Sequence, residues 1–335
     1  MKIMIFDVPA STSGALTILE EYYKRAINST NSNVQWIFVV GTPRFEETEN
    51  VRVLRYPWIK KSWFHRIIFE WLIAPKLVMK HRPDEILSLE NIFVPFVSRK
   101  IKQTLYVHQP LPFVEYKFSF KDNKLYWTYQ NIIGRLIINS IKKADEVIVQ
   151  TNWMKRACSE KAKVNPDKIR VELPKINIEI RKFFTPNENA LRTFFYPATA
   201  NSYKNHEVII QACKKMKELG VNDYHVVLTL TGRENDYASK LYEIVKRENL
   251  RIEFVGNLKR EEVYEWYAKS VLIFPSYIET FGLPLLEAKL HKTPVIASDT
   301  PFSHEILDGY ENVRFFDPFD ADRLCRAMVE VMNPK

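Results

Sequence analysis

Cysteine is scarce in this chain. Cys158, Cys213 and Cys325 are the only three in 335 residues, and they lack any paired spacing. A disulfide framework and a zinc site are both left without support, and the three thiols read as small buried core residues. Glycine is scarce too, with eight in all. No strand runs into Gly-x-Gly-x-x-Gly, which argues against a nicotinamide-dependent dehydrogenase. Long apolar runs are also missing. The best candidate, Ile67 to Met79, is broken by Glu70, Pro75 and Lys76 and falls short of the roughly 20 residues that span a bilayer. The apolar opening Lys2 to Phe6 meets Asp7 at once, too soon for a secretory core. The expected location is therefore the cytoplasm.

What remains is an ordinary globular composition, 46% apolar and 27% charged, on a length that suits two domains. Charge is unevenly divided. Residues 1–175 hold 28 Lys and Arg against 17 Asp and Glu, a balance of +11, whereas residues 176–335 hold 21 against 23. A basic half attracts anionic membrane, a phosphorylated substrate or nucleic acid. No zinc finger, helix-turn-helix or RNA-recognition signature supports the last, so nucleic acid is not an expected partner.

The pattern of elements is an alternation. Strands are expected at Lys2–Val8, Val34–Gly41, Glu85–Leu89, Thr104–His108, Glu146–Gln150 and Ile169–Leu173. Helices are expected at Ala15–Asn28, Phe64–Lys80 and Lys124–Lys143. A polar stretch with prolines, 174–189, marks a boundary. A second alternation follows, with strands near Phe194–Pro197, Val226–Thr231, Arg251–Val255, Val271–Pro275, Pro294–Ala297 and Val313–Phe316. Its helices fall near His206–Leu219, Tyr237–Asn249, Arg260–Lys269 and Pro284–His291, with a closing helix at Asp320–Met332. Alternating strand and helix implies parallel sheets covered on both faces, with ligands at the carboxyl ends of the strands. The expected architecture is α/β, two Rossmann-like doubly wound domains facing a cleft: 1–178, 179–318, and a closing helix 319–335 that could pack back on the first.

The most informative segment runs from Phe274 to Ala288. A buried strand ends in a loop bearing Glu279, Thr280, Phe281, Gly282 and Leu283. Pro284 then opens a helix, since proline is favoured in a first turn. The free amides and positive dipole of that helix end suit a diphosphate. Gly282 allows close approach to the backbone. Glu287 lies about one turn into the helix. Two acids in otherwise apolar text call for a partner, and carboxylates select sugar hydroxyls by accepting hydrogen bonds.

This segment closely resembles the Glu-x7-Glu signature of the family 4 glycosyltransferases, retaining enzymes of GT-B fold. Thr293-Pro294-Val295-Ile296-Ala297-Ser298 continues the likeness, although Lys292 stands where the family usually has Gly. The resemblance spans roughly 190 to 330 and lies mainly in layout before that. It implies Glu287 on the ribose hydroxyls, Glu279 on the donor sugar, and Thr280 with the amides of Phe281, Gly282 and Leu283 on sugar or diphosphate. The stretch Phe195 to Asn205 resembles the family's diphosphate-neutralising Arg/Lys loop: Lys204 matches the Lys, while Thr199 takes the place of the Arg. Arg233, after the Val226–Thr231 strand, is a substitute or a base contact. Asn257 and Leu258 are expected to frame the nucleobase. In the first half, His108 ends a strand where family members place a His near the sugar. The loop Ser11 to Gly14 resembles the first loop that touches phosphate or acceptor, reduced to Gly14 alone.

The expected catalytic residues are thus His108, Lys204 and Glu279. The donor is bound by Gly14, Arg233, Asn257, Leu258, Glu279, Thr280, Phe281, Gly282, Leu283 and Glu287. The family implies transfer of a hexose-type sugar with retention, from a UDP-sugar first or a GDP-sugar second, to a glycan or polyprenyl-diphosphate-linked acceptor in O-antigen or capsule synthesis. A nucleotide-sugar epimerase of the same fold is the alternative. Neither cofactor nor metal is expected. Asp320-Ala321-Asp322 formally reads as a metal-binding Asp-x-Asp but stands where a helix N-cap belongs. Trp58 to Phe69 mixes aromatics with Lys60, Lys61 and Arg66, a composition suited to an anionic membrane surface or to an ordinary amphipathic helix packed on a sheet.

Overall fold

The structure is a computed structural model and describes residues 1–11, 13–121, 123–174, 178 and 180–334. The chain forms two compact units, residues 1–176 and 177–335.

The first unit runs β1 (Lys2–Asp7), α1 (Ser13–Ile27), β2 (Gln35–Val40), β3 (Val51–Arg55), α2 (Trp63–Ile68), α3 (Ala74–His81), β4 (Glu85–Ser88) and β5 (Lys102–Tyr106). It continues with α4 (Lys124–Thr128), α5 (Gly134–Lys143), β6 (Glu146–Val149), α6 (Asn152–Ala162) and β7 (Ile169–Val171). All seven strands are parallel, in the order β3-β2-β1-β4-β5-β6-β7. The sheet's faces follow from the two-residue period of a strand. Ile3 and Ile5 pack under α1 with Leu19 and Tyr22. Met4 and Phe6 face the other way, onto Phe69, Leu77 and Val78.

Two helical stretches of this unit contain a wider turn. The π-helical residues Phe69–Ile73 join α2 to α3, and Tyr129–Ile133 join α4 to α5. Ser62 caps α2 by accepting from the amide of His65 at 3.4 Å. Arg82 closes α3 in the left-handed conformation. Within Trp58 to Phe69, Ile59 and Phe69 are buried, Phe69 completely, while Trp63, Phe64 and Ile67 are exposed. The segment is therefore two-faced, one side core and the other solvent.

The second unit runs α7 (Glu188–Arg192), β8 (Thr193–Tyr196), α8 (His206–Glu218), β9 (His225–Leu228), α9 (Asp236–Arg247), β10 (Ile252–Phe254) and α10 (Arg260–Tyr267). Then come β11 (Val271–Phe274), α11 (Leu283–Leu290), β12 (Val295–Ser298), α12 (Pro301–Ile306), β13 (Val313–Phe316) and α13 (Ala321–Met332). Its six parallel strands lie in the order β10-β9-β8-β11-β12-β13. The closing helix α13 packs on α8 and α7 of its own unit, through an apolar stripe that includes Leu324, Met328 and Val331.

Both sheets share one winding plan. The chain steps outward over three strands, returns to the middle, and steps out the other way. The reversal falls between β1 and β4 in one unit and between β8 and β11 in the other. A parallel sheet holds its ligand at the carboxyl ends of the strands flanking such a reversal.

Candidate active site

Strands β8 and β11 flank the reversal in the second unit. Beyond β8, residues 202–204 form one 3₁₀ turn, and Asn205 takes a left-handed φ of 59° before α8 begins. Asn205 is buried, and its side-chain amide donates to the carbonyls of Pro275 at 3.3 Å and Pro318 at 2.6 Å. The hydroxyl of Tyr196 donates to the Lys204 carbonyl at 2.9 Å, and the Tyr277 amide to that of Tyr203 at 3.2 Å. These bonds tie the loop after β8 to the loop after β11. They deliver Lys204 to Glu279, with which it forms a charge-assisted bond; the two side chains are 17% and 16% exposed. A pair this sheltered keeps more of its attraction than a surface pair.

The loop after β11 ends at Gly282, with φ 83°, and α11 follows with Pro284 in its first turn. Gly282 has no side chain to cap this helix and Pro284 has no N–H; the Leu285 amide donates back to the Gly282 carbonyl at 2.9 Å, which leaves the amides of Gly282 and Leu283 as the ones a ligand at the loop would meet. Phe281 is buried, which anchors the loop. One turn further on, Glu287 is 5% exposed. It accepts from Arg260 at 3.2 Å and from the Tyr267 hydroxyl at 3.1 Å. Burial raises its pKa, and the Arg260 guanidinium partly opposes that rise.

The other expected donor residues lie along the same sheet edge, after β9 and β10. Arg233 is exposed, and its backbone amide donates to Thr231 Oγ1 at 3.1 Å and to Glu234 at 3.0 Å. Asn257 is exposed and Leu258 half-buried in the loop before α10. Thr199, in the place of the family's Arg, is exposed; its hydroxyl accepts from the Asn201 side chain at 3.0 Å. The structure therefore brings Lys204 to Glu279 directly, holds Glu287 by separate partners, and leaves Arg233 and Asn257 open to solvent. Asp320 caps α13 by accepting from the Arg323 amide at 2.9 Å, while Asp322 pairs with Lys215 at 2.7 Å. The Asp-x-Asp is thus engaged at a helix start.

Two expected residues belong to the first unit. Gly14 is exposed and already within the first turn of α1 rather than in the loop before it. His108 lies just past β5, its backbone amide donating to Asn91 Oδ1 at 2.7 Å. Part of its surface meets a cavity. Neighbouring atoms nevertheless strip its ring of water and push its pKa down to about 4, so it is neutral at pH 7.

Sequence reasoning overlooked Asn205, Arg260 and Tyr267. It also overlooked Asp7, buried at the end of β1, and Glu90, buried just beyond β4. An acid closing the first apolar strand was a readable signal for Asp7.

Comparison with known proteins places this geometry. Residues 177–335 match the family Glycosyl transferases group 1. The O-antigen chain mannosyltransferase RfbU of Salmonella typhimurium is 26% identical over 243 residues, 72% of this chain and 63% of that protein. The serotype-specific mannosyltransferase WbdA of Escherichia coli is 33% identical over 145 residues, 42% of this chain and 17% of that one. The chain thus spans less than two thirds of either relative. Among solved structures, HepE of Anabaena in complex with UDP-glucose superposes with a TM-score of 0.67 at 16% identity, over 99% of this chain and 90% of that one. The sucrose-phosphate synthase of Thermosynechococcus elongatus gives 0.71 at 17% identity, again over 99% and 90%. With its two doubly wound sheets the chain has the GT-B fold, and its second unit, residues 177–335, matches the group 1 glycosyl transferases.

Proposed function

We propose that this chain transfers a hexose-type sugar, with retention, from a nucleotide-sugar to a lipid-linked glycan during assembly of a surface polysaccharide on the cytoplasmic face of the membrane. One observation carries the reading: Lys204, Glu279, the glycine start of α11 and the buried Glu287 stand at the reversal point of one sheet. In this reading Glu287 takes the ribose hydroxyls. Glu279 takes the sugar hydroxyls, and Lys204 with the amides of Phe281, Gly282 and Leu283 meets the diphosphate. Departure of the nucleoside diphosphate builds negative charge on the β-phosphate and positive charge on the sugar carbon. A fixed cation and fixed amides stabilise the first without reorganising. The attacking hydroxyl approaches the same face, and the leaving phosphate takes its proton. Lys204 does the work a metal does elsewhere, so activity is expected to persist in EDTA. HepE, bound to UDP-glucose, supports a UDP-sugar as donor; RfbU, an O-antigen chain mannosyltransferase, supports the polysaccharide role.

A thermal-shift series with UDP-, GDP- and ADP-sugars tests the reading. A UDP-sugar at 100 times its dissociation constant should stabilise the protein by about 2.7 kcal/mol, and Glu287→Ala should abolish that gain. The reading fails if no nucleotide-sugar stabilises the protein and Glu287→Ala remains active. Turnover of the nucleotide-sugar without any acceptor would instead mark an epimerase.

A further inference from the structure

The first unit has a reversal point of its own, and buried carboxylates stand at it. Asp7 ends β1 and is 1% exposed, and among the described residues neither of its carboxylate oxygens meets a hydrogen-bond partner in good geometry, the backbone of Ala10 giving only a partly offsetting interaction. Glu90 follows β4 and is 7% exposed; one of its oxygens accepts from the Val8 amide at 2.7 Å. Both line a cavity of about 320 Å³ that is also lined by Glu70, Arg66 and His108. Arg66 is already engaged, donating to Glu70 at 2.5 Å. An unpartnered carboxyl group in a closed place costs free energy unless something hydrogen-bonds it. A fold that keeps such a group at a ligand position holds it ready for a ligand.

The rest of the cavity has the opposite character. Trp63, Ile67, Trp71, Ile132 and Leu136 line it and are between 38% and 54% exposed. Trp71 and Ile132 come from the two π-helical turns, and such turns recur at functional sites. One cavity therefore joins an acid floor to an apolar rim. A phosphate on that floor would meet carboxylates, with the Arg66 charge already taken by Glu70. A hydroxylated ring finds acceptors in Asp7 and Glu90. Because burial raises both acids, with the charge of Glu90 adding to Asp7 and that of Glu70 to Glu90, one of them can hold a proton and donate in return.

From this cavity we infer that the first unit binds an uncharged glycosyl head through Asp7 and Glu90 and the apolar chain that carries it through Trp63, Trp71 and Leu136. This rests on the proposed transferase function and names the chemistry of its acceptor.

Calorimetric titration of the full chain with methyl, octyl and dodecyl glycosides of glucose, mannose and galactose, below their micelle concentrations and without nucleotide, tests it. At least one sugar should bind saturably, and octyl should bind at least tenfold more tightly than methyl. Asp7→Asn should weaken binding tenfold or more without lowering Tm, because the amide is neutral and of the same shape as the buried carboxyl. Trp63→Ala with Trp71→Ala should erase the difference between octyl and methyl. The inference is overturned if no glycoside binds, if octyl phosphate or octylamine binds as well as the best glycoside, or if Asp7→Asn binds like the unsubstituted chain. Donor-induced stabilisation is read separately, so its presence alongside any of these results would leave the transferase reading intact.

Discussion

Glu90 links the stability of the first unit to pH. Burial, then the charge of Glu70, pushes its pKa up to about 7, and Asp7 is raised by burial and then by the charge of Glu90. Folded protein therefore keeps protons that the unfolded chain releases above about pH 4.5, and stability falls as pH rises through 7. His108 and His206 act oppositely, since burial lowers them to about 4 and about 3. The unfolded chain binds their protons below about pH 6.5, so their contribution grows with pH and is complete above it. Urea unfolding of Glu90→Gln beside the unsubstituted chain separates the two. From pH 5.5 to 8 the unsubstituted chain should lose at most about 2 kcal/mol relative to the variant, and parallel curves would show that Glu90 does not carry the proton. The site was unevenly legible at this scale. Glu279, Glu287 and Lys204 were readable because the loop and helix that hold them are contiguous text. Asp7 and Glu90 were not, because they meet only through the pairing of β1 with β4. The same holds for Arg260, whose link to Glu287 depends on how α10 and α11 pack.

At the scale of elements, apolar runs gave away the buried strands. Val271–Phe274 is buried at every position, as expected for a parallel sheet covered on both faces. The edge strand β3, Val-Arg-Val-Leu-Arg, was missed because only Val51 is buried and its neighbours look like loop. Helices α6, α7 and α12 were missed as well. The π turns escaped because an extra residue per turn barely disturbs an amphipathic pattern, so 63–81 reads as one plain helix. Helix α11 is where element geometry meets chemistry. Gly282 holds φ at 83°, and a Cβ there would stand 3.2 Å from Leu285 Cδ1. Gly282→Ala should cost about 1–2 kcal/mol from the left-handed backbone, which is a Tm decrease of a few degrees. Because the same backbone aims the first amides of α11, activity should fall at least tenfold, well beyond the stability loss. A variant with lowered Tm and unchanged kcat/KM would show that these amides do not touch the reacting groups.

Across the whole molecule, the basic excess and the densest run of exposed apolar side chains fall in the same unit. Residues 1–175 carry +11, and Trp63, Phe64, Ile67, Trp71 and Leu72 are each more than 40% exposed on one helical stretch. Lys60, Lys61 and Lys76 are exposed beside them. No described helix is long and apolar enough to cross a membrane, so any membrane contact through these helices is interfacial. Aromatic rings settle at headgroup depth. Each nearby Lys or Arg adds about 1 kcal/mol toward an anionic leaflet and loses that at high salt. The full chain should therefore co-sediment with vesicles containing anionic phosphatidylglycerol and much less with pure phosphatidylcholine. Raising NaCl to about 0.5 M, where the Debye length is only a few ångströms, should release most of it. Replacing Trp63, Phe64 and Trp71 together by Ala should weaken binding even at low salt, because the apolar part of the attraction is not screened. Binding that ignores both lipid charge and these three rings would mean that this face meets something other than a membrane. The acid floor and the surface rings would then have to be explained separately, whereas membrane binding would give them one reason under the proposed function: a lipid-borne acceptor would reach the floor from the side on which its chain is held.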